Sequence, residues 1–223
     1  MDFIDVIKFN ESVDNNWLIY RFPMKNFVYG TQLRVGDGQV AIFVKEERAL
    51  DYFTPGNYIL NAKNLPLLQS TMNTPFEGRT PFKADLIFIN STAKMSVFWG
   101  TSKPIPLIGV QSSKGSKVSA SGKFAMRILN YSKFLTKLTS SMGNEKIVKY
   151  DLVVDYFKGI ILTKARAVIS DMISNEKISM SDIEVRISDI SKIIKKWIKE
   201  RFNDFGIEIL EFSIASMKFS DSI

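Results

Sequence analysis

The sequence predicts an α+β fold: a twisted, mostly antiparallel sheet drawn from the first half, with amphipathic helices from the second half packed on it. Three observations carry this. Residues 30–60 hold β-rich runs punctuated by Gly36-Asp37-Gly38 and by Thr54-Pro55-Gly56-Asn57. Near Tyr131 the apolar period changes from two towards 3.6. Finally, 223 residues with 45% hydrophobic content can bury a full core.

Taken in order, residues 3–9 alternate imperfectly and fit either a first strand or one amphipathic turn. Residues 17–22 read as a strand that Pro23 ends. The glycines of 36–38 supply the positive φ angles of a tight hairpin joining 31–35 to 39–44. Pro55 and Gly56 take the central places of a type II turn, so that 30–60 reads as a β-meander. Along 39–44, Val40, Ile42 and Val44 point one way and Ala41 and Phe43 the other, which places this strand inside a sheet. Residues 64–79 read as a long connection, 82–90 with 94–99 as a second hairpin, and 104–107 as a short strand bounded by prolines.

The Ser-, Gly- and Lys-rich stretch 111–123 reads as a loop and a boundary between subdomains, and alternation over 117–129 as a strand. A short helix is expected at 132–138. A long one follows at 151–174, with Val154, Phe157, Ile161, Ala165, Val168, Met172 and Ile173 along one stripe. The last helix, 189–205, collects Ile190, Ile193, Ile194, Trp197, Ile198, Phe202 and Phe205 on one face; Ser188 or Asp189 can cap it and Gly206 ends it. Residues 207–215 alternate as a closing strand. The whole is expected to be a single domain over 1–223: a mainly β part at 1–110, a loop at 111–123, and at 124–223 a strand, helices and the closing strand.

Cysteine and histidine are absent, which removes disulfides, thiol nucleophiles, imidazole bases and the usual zinc ligands. Without them no oxidising compartment is indicated, and the cytosol is the default. Glu46 and Glu47 form the most suggestive carboxylate pair, yet neighbours in an extended chain point apart. Gly36-Asp37-Gly38 joins two strands and opens no helix, so it is no phosphate loop. No catalytic, cofactor-binding or metal-ligating residue is expected, and no cofactor.

Charge is unevenly spread. Residues 111–223 hold 19 of the 30 Lys and Arg but 13 of the 23 Asp and Glu, so +6 of the formal +7 lies there. Lys192, Lys195, Lys196 and Lys199 line the polar face of the last predicted helix. Such a face can be merely solvated, or can meet anionic lipid, a neighbouring subunit or nucleic acid. The exposed strands show no arrangement of aromatics suited to base stacking, which ranks nucleic acid behind the others. No run approaches the ~18 apolar residues of a membrane-spanning helix.

The order of motifs carries a family resemblance. Tyr20-Arg21-Phe22-Pro23 precedes "GQVAIFV" at 38–44 and "PGNYIL" at 55–60. Pro81-Phe82-Lys83-Ala84, Trp99-Gly100-Thr101 with Pro104-Ile105, and Gly206-Ile207 follow. Together they resemble the SPFH or band 7 domain of stomatins, prohibitins and flotillins, and more closely its virion core protein-like branch. The resemblance implies a last helix packed on the sheet, with the strand after it returning to that sheet. It implies a non-catalytic scaffold that self-associates into rings or arrays at the inner, cytoplasmic face of a membrane and organises or protects membrane proteins. Many members attach through the N-terminus, which makes Phe3, Ile4 and Ile7 candidates for lipid contact, beside the alternative of a first strand packed on the core. The branch label also raises a nucleic-acid-associated protein as the alternative function. The family continues past this point into a coiled-coil-forming tail, and members of the branch often end in a zinc-ribbon-like segment.

Overall fold

The computed structural model describes residues 6–9, 16–22, 27–28, 30–45, 48–61, 65, 79–80, 85–92, 95–106, 116–142, 145–175 and 183–221. The fold is α+β, with mostly antiparallel sheets and, among the described residues, three helices. The chain divides into two compact units: Met1–Ala93 with Asn130–Leu152, and Lys94–Leu129 with Val153–Ile223.

The first unit is built on two sheets and a two-stranded ribbon. One sheet has three strands, β1 (Val6–Lys8), β4 (Gln32–Val35) and β7 (Gly56–Ile59), with β4 central and β1 parallel to it. The other has five antiparallel strands in the order β13-β2-β9-β5-β6: Ile147–Lys149, Trp17–Phe22, Asp85–Asn90, Gln39–Lys45 and Arg48–Phe53. The ribbon pairs β3 (Phe27–Val28) with β8 (Arg79–Thr80). Ile7, Leu33 and Val35 from the first sheet join Tyr20, Ala41, Phe43, Phe53 and Phe88 from the second in one core. Phe43 meets Phe53 edge-on at 5.9 Å, and Phe53 meets Tyr58 at 4.9 Å. As its two apolar faces require, β5 is an interior strand, with Val40 through Val44 all buried.

Three expected local reversals are not there. β4 and β5 do not pair: the turn closed by Gln39 N–H donating to the Gly36 carbonyl (3.1 Å) carries the chain from one sheet into the other. Of its two glycines only Gly38 has positive φ, 71°. β5 and β6 do form a hairpin, after which β7 returns to pair β4, so the hairpin is inserted between two strands of the first sheet. Gly56 is already extended (φ 154°) as the first residue of β7, and no type II turn forms. Likewise β9 and β10 (Met95–Gly100) are not a hairpin; β9 pairs β2 and β5, while β10 pairs β12 (Ser116–Ile128). Most of the long connection at 64–79 lies outside the described residues.

Helix α1 (Tyr131–Met142) belongs to the first unit and packs beside β6. Asn130 caps it: its Oδ1 accepts from Lys133 N–H at 2.9 Å and its carbonyl from Phe134 N–H at 3.0 Å.

The second unit is organised by two long antiparallel strands, β12 (Ser116–Ile128) and β14 (Ile207–Asp221). β10 and β11 (Ile105–Pro106) pair successive parts of the other edge of β12. β12 starts inside the stretch expected to be a loop; residues 111–115 lie outside the described ones. The ladder slips at Ser121/Gly122 and at Ala125/Met126, leaving Ala215 and Leu210 without partners as bulged residues. The bulge at Leu210 reverses the inward phase of β14, from Ile207 and Ile209 to Phe212 and Ile214.

Helix α2 (Tyr150–Asn175) buries Val154, Phe157, Ile161, Ala165, Val168 and Met172, the expected stripe as far as side chains are described. Helix α3 (Ile183–Asn203) runs along β14, where Ser191 Oγ accepts from Ile214 N–H at 3.2 Å. It starts six residues earlier than expected, so Ser188 and Asp189 lie inside it. The two helices meet through Phe157 and Phe202, centroids 4.7 Å apart. Trp99 stacks on Phe212 at 5.5 Å.

Candidate functional site

On α3 the lysines at 192, 195, 196 and 199 follow i, i+3, i+4, i+7 spacing and therefore share one stripe, and all four are exposed. Opposite them Ile190, Ile194, Ile198 and Phe202 are fully buried. Ile193, expected on the apolar face, is 47% exposed beside the lysines. Lys192 pairs with Asp189 at 3.2 Å; Lys195, Lys196 and Lys199 form no ion pair among the described residues. Most of the stripe's positive charge is thus not offset by an ion pair among the described residues.

Lys196 and Lys199 also rim a groove of about 450 Å³ whose other walls include Leu129, Glu200, Ile207 and Glu208. Leu129 is 58% exposed there. Two lysines and two glutamates in one groove leave no net preference for an anion, and Glu208 is engaged at 2.6 Å by Arg127. The outward edge of the stripe is the more cationic surface.

The N-terminal candidates fall differently. Phe3 and Ile4 lie outside the described residues. Ile7 is 6% exposed, on the inward side of β1 in the core, so it is no lipid-contacting surface in this fold. Its neighbour Val6 faces outward and is 54% exposed. The alternation of outward Val6 and Lys8 with inward Ile7 is the signal that could have found this, once the segment is read as a strand.

Among the described residues nothing in the geometry assembles a reaction centre. Among the described residues no three acidic side chains cluster to hold a metal ion. Glu46 and Glu47 lie outside the described residues. Burial pushes the phenols of Tyr20, Tyr131 and Tyr150 above the ordinary tyrosine value, for Tyr150 with a further upward push from the Asp151 charge. That is the opposite of what a tyrosinate base needs. No helix among the described residues is long and apolar enough to cross a membrane.

An α+β domain with a cationic helix stripe and no catalytic constellation among its described residues is the class of protein so defined. The SPFH domain-Band 7 family model matches residues 19–223, and the chain belongs to that family. Members of the family are in general non-enzymatic, membrane-associated scaffolds. No curated protein matches the sequence.

Proposed function

We propose that this protein is a non-catalytic, self-associating scaffold held peripherally at the cytoplasmic face of a membrane, where it organises or protects membrane components. The observation that carries this is the family match over residues 19–223. The cationic stripe of α3 supports it, since lysines near an anionic membrane surface contribute about 1 kcal/mol each. In this reading Lys192, Lys195, Lys196 and Lys199 meet acidic headgroups or the acidic surface of a neighbouring subunit. Within the family we assign the chain to the virion core protein-like branch, on the order of its motifs from Tyr20-Arg21-Phe22-Pro23 to Gly206-Ile207.

The test is co-sedimentation with neutral and with anionic liposomes at low and moderate salt, with an oligonucleotide as competitor, alongside sedimentation velocity to follow self-association. Binding to anionic liposomes that survives the competitor, with assemblies larger than one chain on the vesicles, is the expected result. Tight, salt-sensitive oligonucleotide binding with no affinity for any liposome would overturn the reading in favour of a nucleic-acid-associated protein.

A further inference from the structure

We propose that the outward face of the three-stranded sheet β1-β4-β7 docks on an anionic lipid bilayer, Val6 and Ile59 entering the interface and Arg34 meeting the phosphates. The proposal rests on the membrane reading above and deepens it by naming the contact face.

The register of this sheet sorts its residues into rows. Val6, Gln32 and Ile59 lie opposite one another across the three strands, and so do Lys8, Arg34 and Asn57. Partners directly opposite share a face. Ile7, Leu33 and Tyr58, the row between, point the other way into the core or against it. The outward face therefore carries one row in which Val6 and Ile59 flank Gln32, beside a second row in which the cations Lys8 and Arg34 adjoin Asn57, the two rows lying two residues apart along the strands, or roughly 6.6 Å.

Val6 and Ile59 are 54% and 59% exposed, among the most exposed large aliphatic side chains of the described residues. They flank Gln32 in a shallow groove of about 430 Å³ that Arg34 and Asn57 also line. Strands β1, β4 and β7 contain no Asp or Glu, so nothing on the sheet itself offsets the charge of Arg34. An acidic water-facing layer above an apolar one matches this order of rows: aliphatic side chains reach the acyl boundary while a guanidinium, with its planar fork of donors, takes phosphate oxygens. A protein partner would need to supply both features; a bilayer surface supplies them everywhere.

The chain has no cysteine, so single cysteines can be placed without background. Ile59→Cys and, for comparison on the helix stripe, Lys195→Cys are each labelled with a polarity-sensitive fluorophore and mixed with phosphatidylcholine vesicles with or without phosphatidylserine. On anionic vesicles the expected result is a blue shift at position 59 that exceeds any at 195, where a lysine stripe reaches only the polar headgroup layer. Arg34→Glu should weaken vesicle binding roughly 25-fold, a basic group near the surface counting for about fivefold and its reversal for as much again. Val6→Ser with Ile59→Ser should cost an order of magnitude or more, at roughly fourfold per methylene kept out of water. These side chains are exposed, and unchanged thermal unfolding will show that the variants fold. A shift at 195 alone, or vesicle binding unaltered both in Arg34→Glu and in the combined Val6→Ser, Ile59→Ser variant, overturns this face while leaving the membrane reading intact. A solution dimer that Val6→Ser and Ile59→Ser dissociate, with vesicle binding unchanged, gives the face to a second copy and overturns it as well. If the parent protein binds no vesicle, both readings fall together.

Discussion

Replacing Gly122 by alanine should be among the most damaging single-methyl changes available in the second unit. Gly122 sits on β12 where the ladder with β14 slips, and a Cβ there would lie 2.0 Å from the Ser213 carbonyl oxygen, 2.9 Å from its carbon and 3.0 Å from Ile214 Cα. All three are backbone atoms, so no side chain can swing aside. Carbon and oxygen settle no closer than about 3.3 Å, which asks β14 to retreat by more than ~1 Å. Ladder bonds near 2.9 Å would then open past the hydrogen-bonding range. Losing about two of them at ~1 kcal/mol each, and loosening the Trp99–Phe212 stack by up to ~1 kcal/mol, gives roughly 3 kcal/mol, the upper part of the usual range for overpacking. Urea unfolding followed by tryptophan fluorescence, to which Trp99 contributes, measures this as a shift in midpoint. Gly159→Ala is the internal control: it lies in α2 with nothing within 4 Å of the new Cβ, and should stabilise by about 0.5–1 kcal/mol through helix propensity alone. A Gly122→Ala protein within about 1 kcal/mol of the parent would refute the close approach of the two strands.

Asn130→Ala removes the side-chain acceptor of the α1 cap and should cost about 1 kcal/mol, read as a lowered denaturant midpoint, with Asn130→Asp largely restoring it. Because burial raises the phenols of Tyr20, Tyr131 and Tyr150 above 10.0, each holds its proton more tightly folded than unfolded. Stability should be level up to about pH 9 and fall as pH rises past about 10, and a Tyr20→Phe variant should lose less than the parent between about pH 9 and about pH 11. A stability that rises through this window would contradict the burial of these rings.

The second half of the chain was the more legible. Its helices are long, and a 3.6-residue stripe such as Val154 to Met172 survives whatever the rest of the fold does. β12 and the start of β14 were legible for the same reason, by alternation. In the first half the strands were placed well and their partners were not. A Gly-rich turn after Val35 announces that the chain reverses; it does not say whether the next strand lies beside the last one or in a neighbouring sheet. That choice is made by distant residues, here the pairing of Arg34 with Asn57 and of Ile42 with Ile87. Ile193 shows the converse limit: its spacing suits the apolar face, yet it stands at the rim of the stripe and ends exposed. At the candidate surfaces the lysine stripe of α3 could be read directly. The division of labour between Val6 and Ile7 could not, because one residue of phase decides which of two aliphatic neighbours is core.

The two bulges of β14 bear on how its outer edge meets strands of other molecules. Fifteen residues of β14 run against thirteen of β12, the excess being taken up at Leu210 and Ala215. A strand offset twice within five residues is more strongly twisted and no longer offers a straight, evenly spaced row of amide and carbonyl groups. A flat strand from another molecule, approaching its outer edge, could stay in register only over one of the unbroken segments that the offsets leave, the longest being residues 216–221. The irregular ladder thus makes the outer edge of β14 a poor template for a flat strand of another molecule.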